Sequence, residues 1–370
     1  MSKLDYITVR GFKNIKAVEK LPIRPINVII GANGSGKSNF IGVFSFLNAI
    51  RNGKLQDYVG KAGGADRVLF FGSKVTEQIH LHVSFDDEAD QYEIEMEPTD
   101  ADTLVPTSEA VIYRNTAHSA LSVNTLSRNG NEAAISPKQN AIHAPVLEHA
   151  RRHLDELRVY HFHDTSASSA MKKTGDLNDN WLFKPDASNL AAYLFFLKTR
   201  HEQQYSLIRR TVQCVAPFFD DFVLRPSALN EDKIRLEWKH QESDAYFDAA
   251  SLSDGSLRFI ALATLLLQPA ALQPSVILVD EPELGLHPYA ITMLASMVKQ
   301  ASVSNQVILS TQSTILLDKF QPEDVLVADR RDGGAHFTRL SSENLKVWLE
   351  EYSLGELWEK NEFGGRPGGF

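Results

Sequence analysis

Gly31-Ala32-Asn33-Gly34-Ser35-Gly36-Lys37-Ser38 decides the reading of this chain, because it fills every fixed position of a phosphate-binding loop. The apolar run before it, Ile26-Asn27-Val28-Ile29-Ile30, reads as a buried strand. After it, Phe40, Val43, Phe44 and Leu47 recur at helical spacing through residues 39–50. In that strand–turn–helix context the backbone N–H groups from Asn33 to Asn39 can curl around phosphate oxygens. The positive end of the helix dipole adds to the attraction. Lys37 is expected to reach the β- and γ-phosphates, and the Ser38 hydroxyl to ligate Mg²⁺. The stretch implies a bound nucleoside triphosphate, read here as ATP with Mg²⁺.

A second run, Ser275-Val276-Ile277-Leu278-Val279-Asp280-Glu281-Pro282, is an apolar strand ending in two adjacent carboxylates. Asp280 suits Mg²⁺ held through water, since that cation gives up its hydration shell reluctantly. Glu281, one position on, suits a general base that polarises the attacking water. Leu252-Ser253-Asp254-Gly255-Ser256 precedes a strongly apolar helical segment, residues 257–267. Alone it would be only a helix N-cap. In this order and spacing the motifs resemble the ABC-type ATPases. The resemblance implies that Ser253 and Gly255 form a signature binding the γ-phosphate of a nucleotide held by a second subunit. It places a D-loop at Glu283-Leu284-Gly285-Leu286-His287-Pro288, and a Q-loop glutamine between the phosphate loop and the insert, for which Gln56 and Gln78 are both candidates. The strand Val307-Ile308-Leu309-Ser310-Thr311 ends where that family usually has a switch histidine; this chain has Gln312, which can hydrogen-bond but cannot take a proton.

Ile7-Thr8-Val9-Arg10-Gly11-Phe12-Lys13-Asn14-Ile15 resembles the opening strand of the RecF, SMC and overcoming-lysogenization-defect branch of these ATPases. The likeness covers residues 1–85 and 245–330. The closing run Leu357-Trp358-Glu359-Lys360-Asn361 through Gly364-Gly365-Arg366-Pro367 is similar to stand-alone ATPases of the same branch. The implied fold is α/β: a head assembled from residues 1–85 and 216–370, with 86–215 as an inserted α+β arm or lid. A coiled-coil rod would need sustained a/d heptads across the gap, and none is visible. Residues 86–135 are instead polar and interrupted by Pro98, Pro106 and Gly130, with Gln91-Tyr92-Glu93-Ile94-Glu95-Met96 alternating like a half-exposed strand. Residues 145–158 and 188–216 read as helices.

Thirty-eight basic residues against 47 acidic give a net charge of −9, so no global basic field draws in nucleic acid. Local clusters at Arg151-Arg152-His153, Lys172-Lys173 and residues 198–210 all fall in the insert and keep a DNA-facing arm open as a second reading. The single cysteine, Cys214, excludes an internal disulfide framework. No apolar run reaches the ~18 residues that span a bilayer, and no leader pattern opens the chain, so a cytoplasmic protein without membrane contact is expected. His161-Phe162-His163-Asp164 lacks a second ligand cluster, and reads as flanking the nucleotide site or closing the insert rather than as a zinc site. His80 and His82 read as ordinary sheet residues. The tail from Gly364 to Phe370 is expected to be flexible, or else to dock on a partner.

Split motifs of this kind imply an ATP-hydrolysing switch: a homodimer around sandwiched ATP, with higher assembly left open. The resemblance implies a separately encoded effector, a nuclease, in bacterial anti-phage defence. A RecF-like DNA-repair factor and an ATP-bound scaffold with little turnover are the alternatives. Relatives with their own Toprim nuclease need an Asp-x-Asp, which the stretch after Thr311 lacks, so the chain is expected not to be that nuclease itself.

Overall fold

In the computed structural model, residues 2–114, 121–127, 130–137 and 144–365 are described. The chain begins with an antiparallel pair, β1 (Leu4–Phe12) and β2 (Ile15–Pro22), and then enters the buried strand β3 (Ile26–Ile30). The phosphate loop leads into α1 (Lys37–Arg51), whose apolar face carries Phe40, Val43, Phe44 and Leu47 as the spacing requires. Two shorter helices follow, α2 (Leu55–Ala62) and α3 (Ala65–Val68). Next come β4 (Ile79–Phe85), β5 (Asp90–Pro98), β6 (Leu104–Arg114) and β7 (Leu121–Thr125). These join the first two strands in one antiparallel sheet of order β2-β1-β4-β5-β6-β7. Helix α4 (Ala144–Asp155) then delivers the chain to β8 (Leu157–Tyr160).

The border expected at residue 86 therefore does not separate an arm from the head. It falls in the turn between β4 and β5, and the alternating run of residues 91–96 pairs with β4 along its whole length, from Ile79↔Met96 to Phe85↔Asp90. Alternation identifies a half-buried strand but carries no information about which sheet it will join. The inserted α+β subdomain lies after β8. It contains β9 (Gly175–Asp176), α5 (Leu190–Arg200), α6 (Glu202–Val215), β10 (Phe219–Val223), β11 (Pro226–Ser227), β12 (Asn230–Ile234), β13 (Glu237–His240) and β14 (Tyr246–Asp248). Its strands form two three-stranded sheets, β11-β12-β9 and β10-β13-β14. The helical stretch expected over 188–216 is broken at His201, whose backbone (φ −139°, ψ 57°) ends α5 and starts α6.

The last part of the chain supplies α7 (Asp254–Leu267), β15 (Val276–Asp280), α8 (Pro288–Ala301), β16 (Gln306–Thr311), α9 (Thr314–Leu317), β17 (Val325–Arg331) and β18 (Gly334–Arg339). These strands combine with two from the N-terminal half into a central sheet of order β18-β17-β3-β16-β15-β8, parallel except for β18. Its strands are apolar nearly throughout because both faces are covered. Val276 and Leu278 pack into one core with α1 and the antiparallel sheet. Ile277 and Val279 pack into the other with α5, α6, α7 and α8. No described helix is long and apolar enough to cross a membrane.

Candidate functional site

Register brings the site together. Thr311 pairs with Ile30, Asp280 with Ser310, and Val279 with Tyr160. The carboxyl ends of β3, β16, β15 and β8 therefore finish side by side, and Gly31, Gln312, Glu281 and His161 leave the sheet at one edge. Ligands of open parallel sheets bind at such an edge.

The loop is built for an anion. Gly34 and Gly36 take φ of +79° and +118°, a region that L side chains rarely adopt. At Gly31 a Cβ would collide with the Ala328 carbonyl oxygen. Lys37 folds back on its own loop, donating to the carbonyls of Gly31 at 2.7 Å and Ala32 at 3.0 Å. Burial lowers its pKa, while Glu281, Asp280 and Glu283 oppose that shift. The Ser35 hydroxyl is buried without a protein partner, as a phosphate ligand would require. Asn33, Gly34 and Ser38 are exposed at the mouth. Asn39 donates to Asn14 at 2.8 Å, and Asn14 donates to the Gly34 carbonyl at 3.3 Å, so the β1–β2 turn buttresses the loop. Beside it, a cleft of about 710 Å³ lined by Lys13, Asn14, Asn39, Arg67, Phe71 and Arg330 has room for a nucleoside.

The acidic strand end meets this loop. The Ser38 hydroxyl lies 3.4 Å from Asp280 Oδ1, an oxygen that also accepts a short hydrogen bond from Ser310. Those two oxygens fit Mg²⁺, a hard cation that takes a hydroxyl and a carboxylate and fills its shell with water and phosphate. Glu281 sits in the left-handed region at φ 41°, its N–H held by the Ser310 carbonyl at 3.1 Å. Its Oε1 accepts from the Gln312 side chain at 2.6 Å. Glu283, expected from its spacing only to belong to the D-loop, locks this pair from behind. Its Oε1 accepts from the Thr311 hydroxyl at 2.5 Å and the Gln312 N–H at 3.1 Å, and its Oε2 is buried without a partner. Burial raises the Glu283 pKa, and nearby Glu281 adds to the rise.

Ser253 and Gly255 have local duties as well. Ser253 is the exposed N-cap of α7, accepting from Ser256 N–H at 3.1 Å. Gly255 touches the D-loop: a Cβ there would collide with the Gly285 carbonyl oxygen. Arg258, on the same helix, donates to the carbonyls of Phe162 at 3.0 Å and His163 at 3.2 Å, and also to that of Leu284. It joins α7, the turn of residues 283–288 and the segment just after β8.

Of the two candidate Q-loop glutamines, Gln56 is committed away from this edge. Its amide is spent on the Leu104 and Asn131 carbonyls. The position beside Asp280 belongs to His161 and His163, whose ligating atoms and that of Asp280 lie within 4.8 Å of one another. Desolvation lowers the His161 pKa, with Asp280 opposing. The His-x-His pattern is visible in the sequence, but Asp280 is more than a hundred positions away and only the β8–β15 pairing brings it alongside. The start of the tail is docked on the loop, where the Gly365 carbonyl accepts from the Ala32 N–H at 2.6 Å. Residues 366–370 lie outside the described residues.

Solved structures with a similar fold include an Smc head bound to the C-winged helix domain of ScpA, 17% identical with a TM-score of 0.60 over 93% of this chain and 99% of that one. An Smc head with an extended coiled coil, bound to the C-terminal domain of ScpA and derived from Pyrococcus furiosus, is 16% identical with a TM-score of 0.58 over 95% and 99%. An Smc head with a coiled coil and joint from Pyrococcus yayanosii is 13% identical with a TM-score of 0.54 over 95% and 99%. At such identities the likeness is one of fold: an α/β P-loop head assembled from N- and C-terminal segments around an inserted subdomain. No curated protein matches the chain. Residues 26–318 match the family described as "AAA domain, putative AbiEii toxin, Type IV TA system". Since that span holds the phosphate loop, both strand-end acids, the helix α7 and Gln312, this chain belongs to that AAA-domain family.

Proposed function

We propose that the chain is an ATP-hydrolysing switch, with ATP held on Asn33–Asn39 of one protomer and closed over by Ser253 and Gly255 of a second copy. One observation carries this reading: Glu281 and Gln312 are hydrogen-bonded to each other beside the Ser38–Asp280 pair, at the mouth of the phosphate loop. Magnesium on Ser38 and Asp280 would neutralise charge on the phosphates. Lys37 would exchange its loop carbonyls for phosphate oxygens. Glu281 would take a proton from the attacking water, while Gln312 holds its carboxylate in place and, having no titratable group, leaves the base role to Glu281. Ser253 is exposed, although its hydroxyl is bonded to Ser256 within its own helix cap. Leu284 and Tyr289, in and just past the D-loop, are large apolar side chains left in solvent, as an interface between copies would leave them in the open state.

The test is turnover. Glu281→Gln should lower ATP hydrolysis by about 10²–10⁴-fold while retaining ATP binding, and Lys37→Ala should lose the binding itself. Hydrolysis by Glu281→Gln at the wild-type rate would contradict the assignment.

For its output we propose control of a separately encoded effector, a nuclease, in bacterial anti-phage defence. The ScpA domains seated on Smc heads favour a protein partner. For the DNA-binding alternative, Arg152, Lys173, Arg200 and Arg210 of the basic clusters are exposed, while others are engaged within the chain. Arg151 donates to the Ile135 and Ser136 carbonyls, Lys172 to that of Thr165, and Lys198 and Arg209 both face Asp221. Stoichiometric co-purification with the product of a neighbouring gene tests the effector reading; salt-sensitive DNA binding by the chain alone would favour the other.

A further inference from the structure

We infer that His161, His163 and Asp280 form a binding site for an imidazole-seeking transition-metal dication of the Zn²⁺ or Co²⁺ type, distinct in chemistry from magnesium. Hydroxyl, carboxylate and water suit Mg²⁺, whereas two imidazoles with one carboxylate suit Zn²⁺ and Co²⁺. Three protein ligands with a fourth position left open is the composition of an exchangeable site rather than a closed structural one.

The backbone presents these groups rigidly. Because Tyr160 pairs with Val279, the next residue on each strand, His161 and Asp280, leaves the sheet at the same level. His161 and His163 are two apart, with Phe162 turned into the core at 3% exposure. The His161 N–H is fixed by the Pro185 carbonyl at 2.9 Å, and the carbonyls of Phe162 and His163 are fixed by Arg258. The three ligating atoms already lie within 4.8 Å, a gap that side-chain rotation closes to metal–ligand distances of about 2.1 Å. Neither imidazole has a hydrogen-bond partner among the described residues. The hydroxyls of Ser38 and Ser310 both address Asp280 Oδ1, so Oδ2 is the oxygen on offer.

A second His/Asp group serves as the internal control. Asp90, His149 and His153 also lie within 4.8 Å of each other. There His153 is already committed, one ring nitrogen to Asp90 at 3.1 Å and the other to Ser2, with its ring stacked on Phe85. That ring is a packing element.

The claim concerns the nucleotide-free protein and does not depend on the ATPase reading, though Asp280 would be common to both sites. The experiment is a Co²⁺ titration of tag-free, nucleotide-free protein followed by visible absorption, with Zn²⁺ as the displacing ion. One Co²⁺ per chain is expected, with its bands erased by Zn²⁺. Affinity should fall by at least about tenfold in His161→Gln and in His163→Gln, and stay unchanged in His149→Gln. Circular dichroism verifies that each variant is folded, and either single variant suffices should the other fail. No saturable band, or a band that survives both substitutions or vanishes with His149→Gln, would overturn the site.

Discussion

Glu281 stands in the left-handed region at φ 41°, a conformation that costs a residue with a side chain about 1–2 kcal/mol. The Ser310 carbonyl and the turn through Pro282 hold it there, so the strain sits at the group proposed to do the chemistry. Glu281→Gly should relieve it: urea unfolding is expected to show a gain of about 1 kcal/mol together with lost turnover. A variant that is less stable than the wild type would mean that the carboxylate contributes more to the fold than the backbone loses. Glu283 offers a second test at this scale. Its pKa is raised by burial, so the folded state holds the proton more tightly than the unfolded chain does. Its stabilising share is complete below the ordinary glutamate range and declines as pH rises from there to the raised folded value. The unfolding free energy of the wild type minus that of Glu283→Gln should therefore fall with pH across the mildly acidic range. A flat difference would show an ordinary carboxyl.

Among the elements, α7 opens with the proposed signature residues, and its first turn leans on the turn of residues 283–288 through Gly255 and Gly285. A methyl at residue 255 meets a backbone oxygen, which cannot rotate away. Gly255→Ala should cost about 1–3 kcal/mol in thermal or chemical unfolding, the usual range for overpacking, and a cost near zero would mean that the D-loop is free to move. Much of this element level was legible in the sequence. The loop of Gly31 to Ser38, the strand ending at Asp280 and Glu281, and the helix after Ser253 each carry local patterns, and each folds as its pattern indicates. What escaped was non-local. Residues 86–135 read as part of an arm because polar alternation says nothing about partners, whereas β5, β6 and β7 complete the sheet begun by β1 and β2. His161 and His163 looked isolated because Asp280 reaches them only through strand pairing. A place for Gln312 at the end of β16 was anticipated from its position after Thr311, whereas the grip of Glu283 on Gln312 depends on a turn geometry that no spacing rule encodes.

For the whole molecule, the central sheet draws β3 and β8 from the first half of the chain and β15, β16, β17 and β18 from the second, so the phosphate loop and the acids meet only when both halves are folded. In one copy Ser253 caps its own helix, and under the proposal a second copy brings its own Ser253 to the nucleotide. The central claim is that ATP joins two such heads. The most direct measurement is the mass of the Glu281→Gln protein by light scattering, with and without ATP and Mg²⁺. Monomer without nucleotide and dimer with it is the expected result, and Lys37→Ala should stay monomeric in both. A mass that ignores ATP in a protein shown to bind it would contradict a site shared between copies.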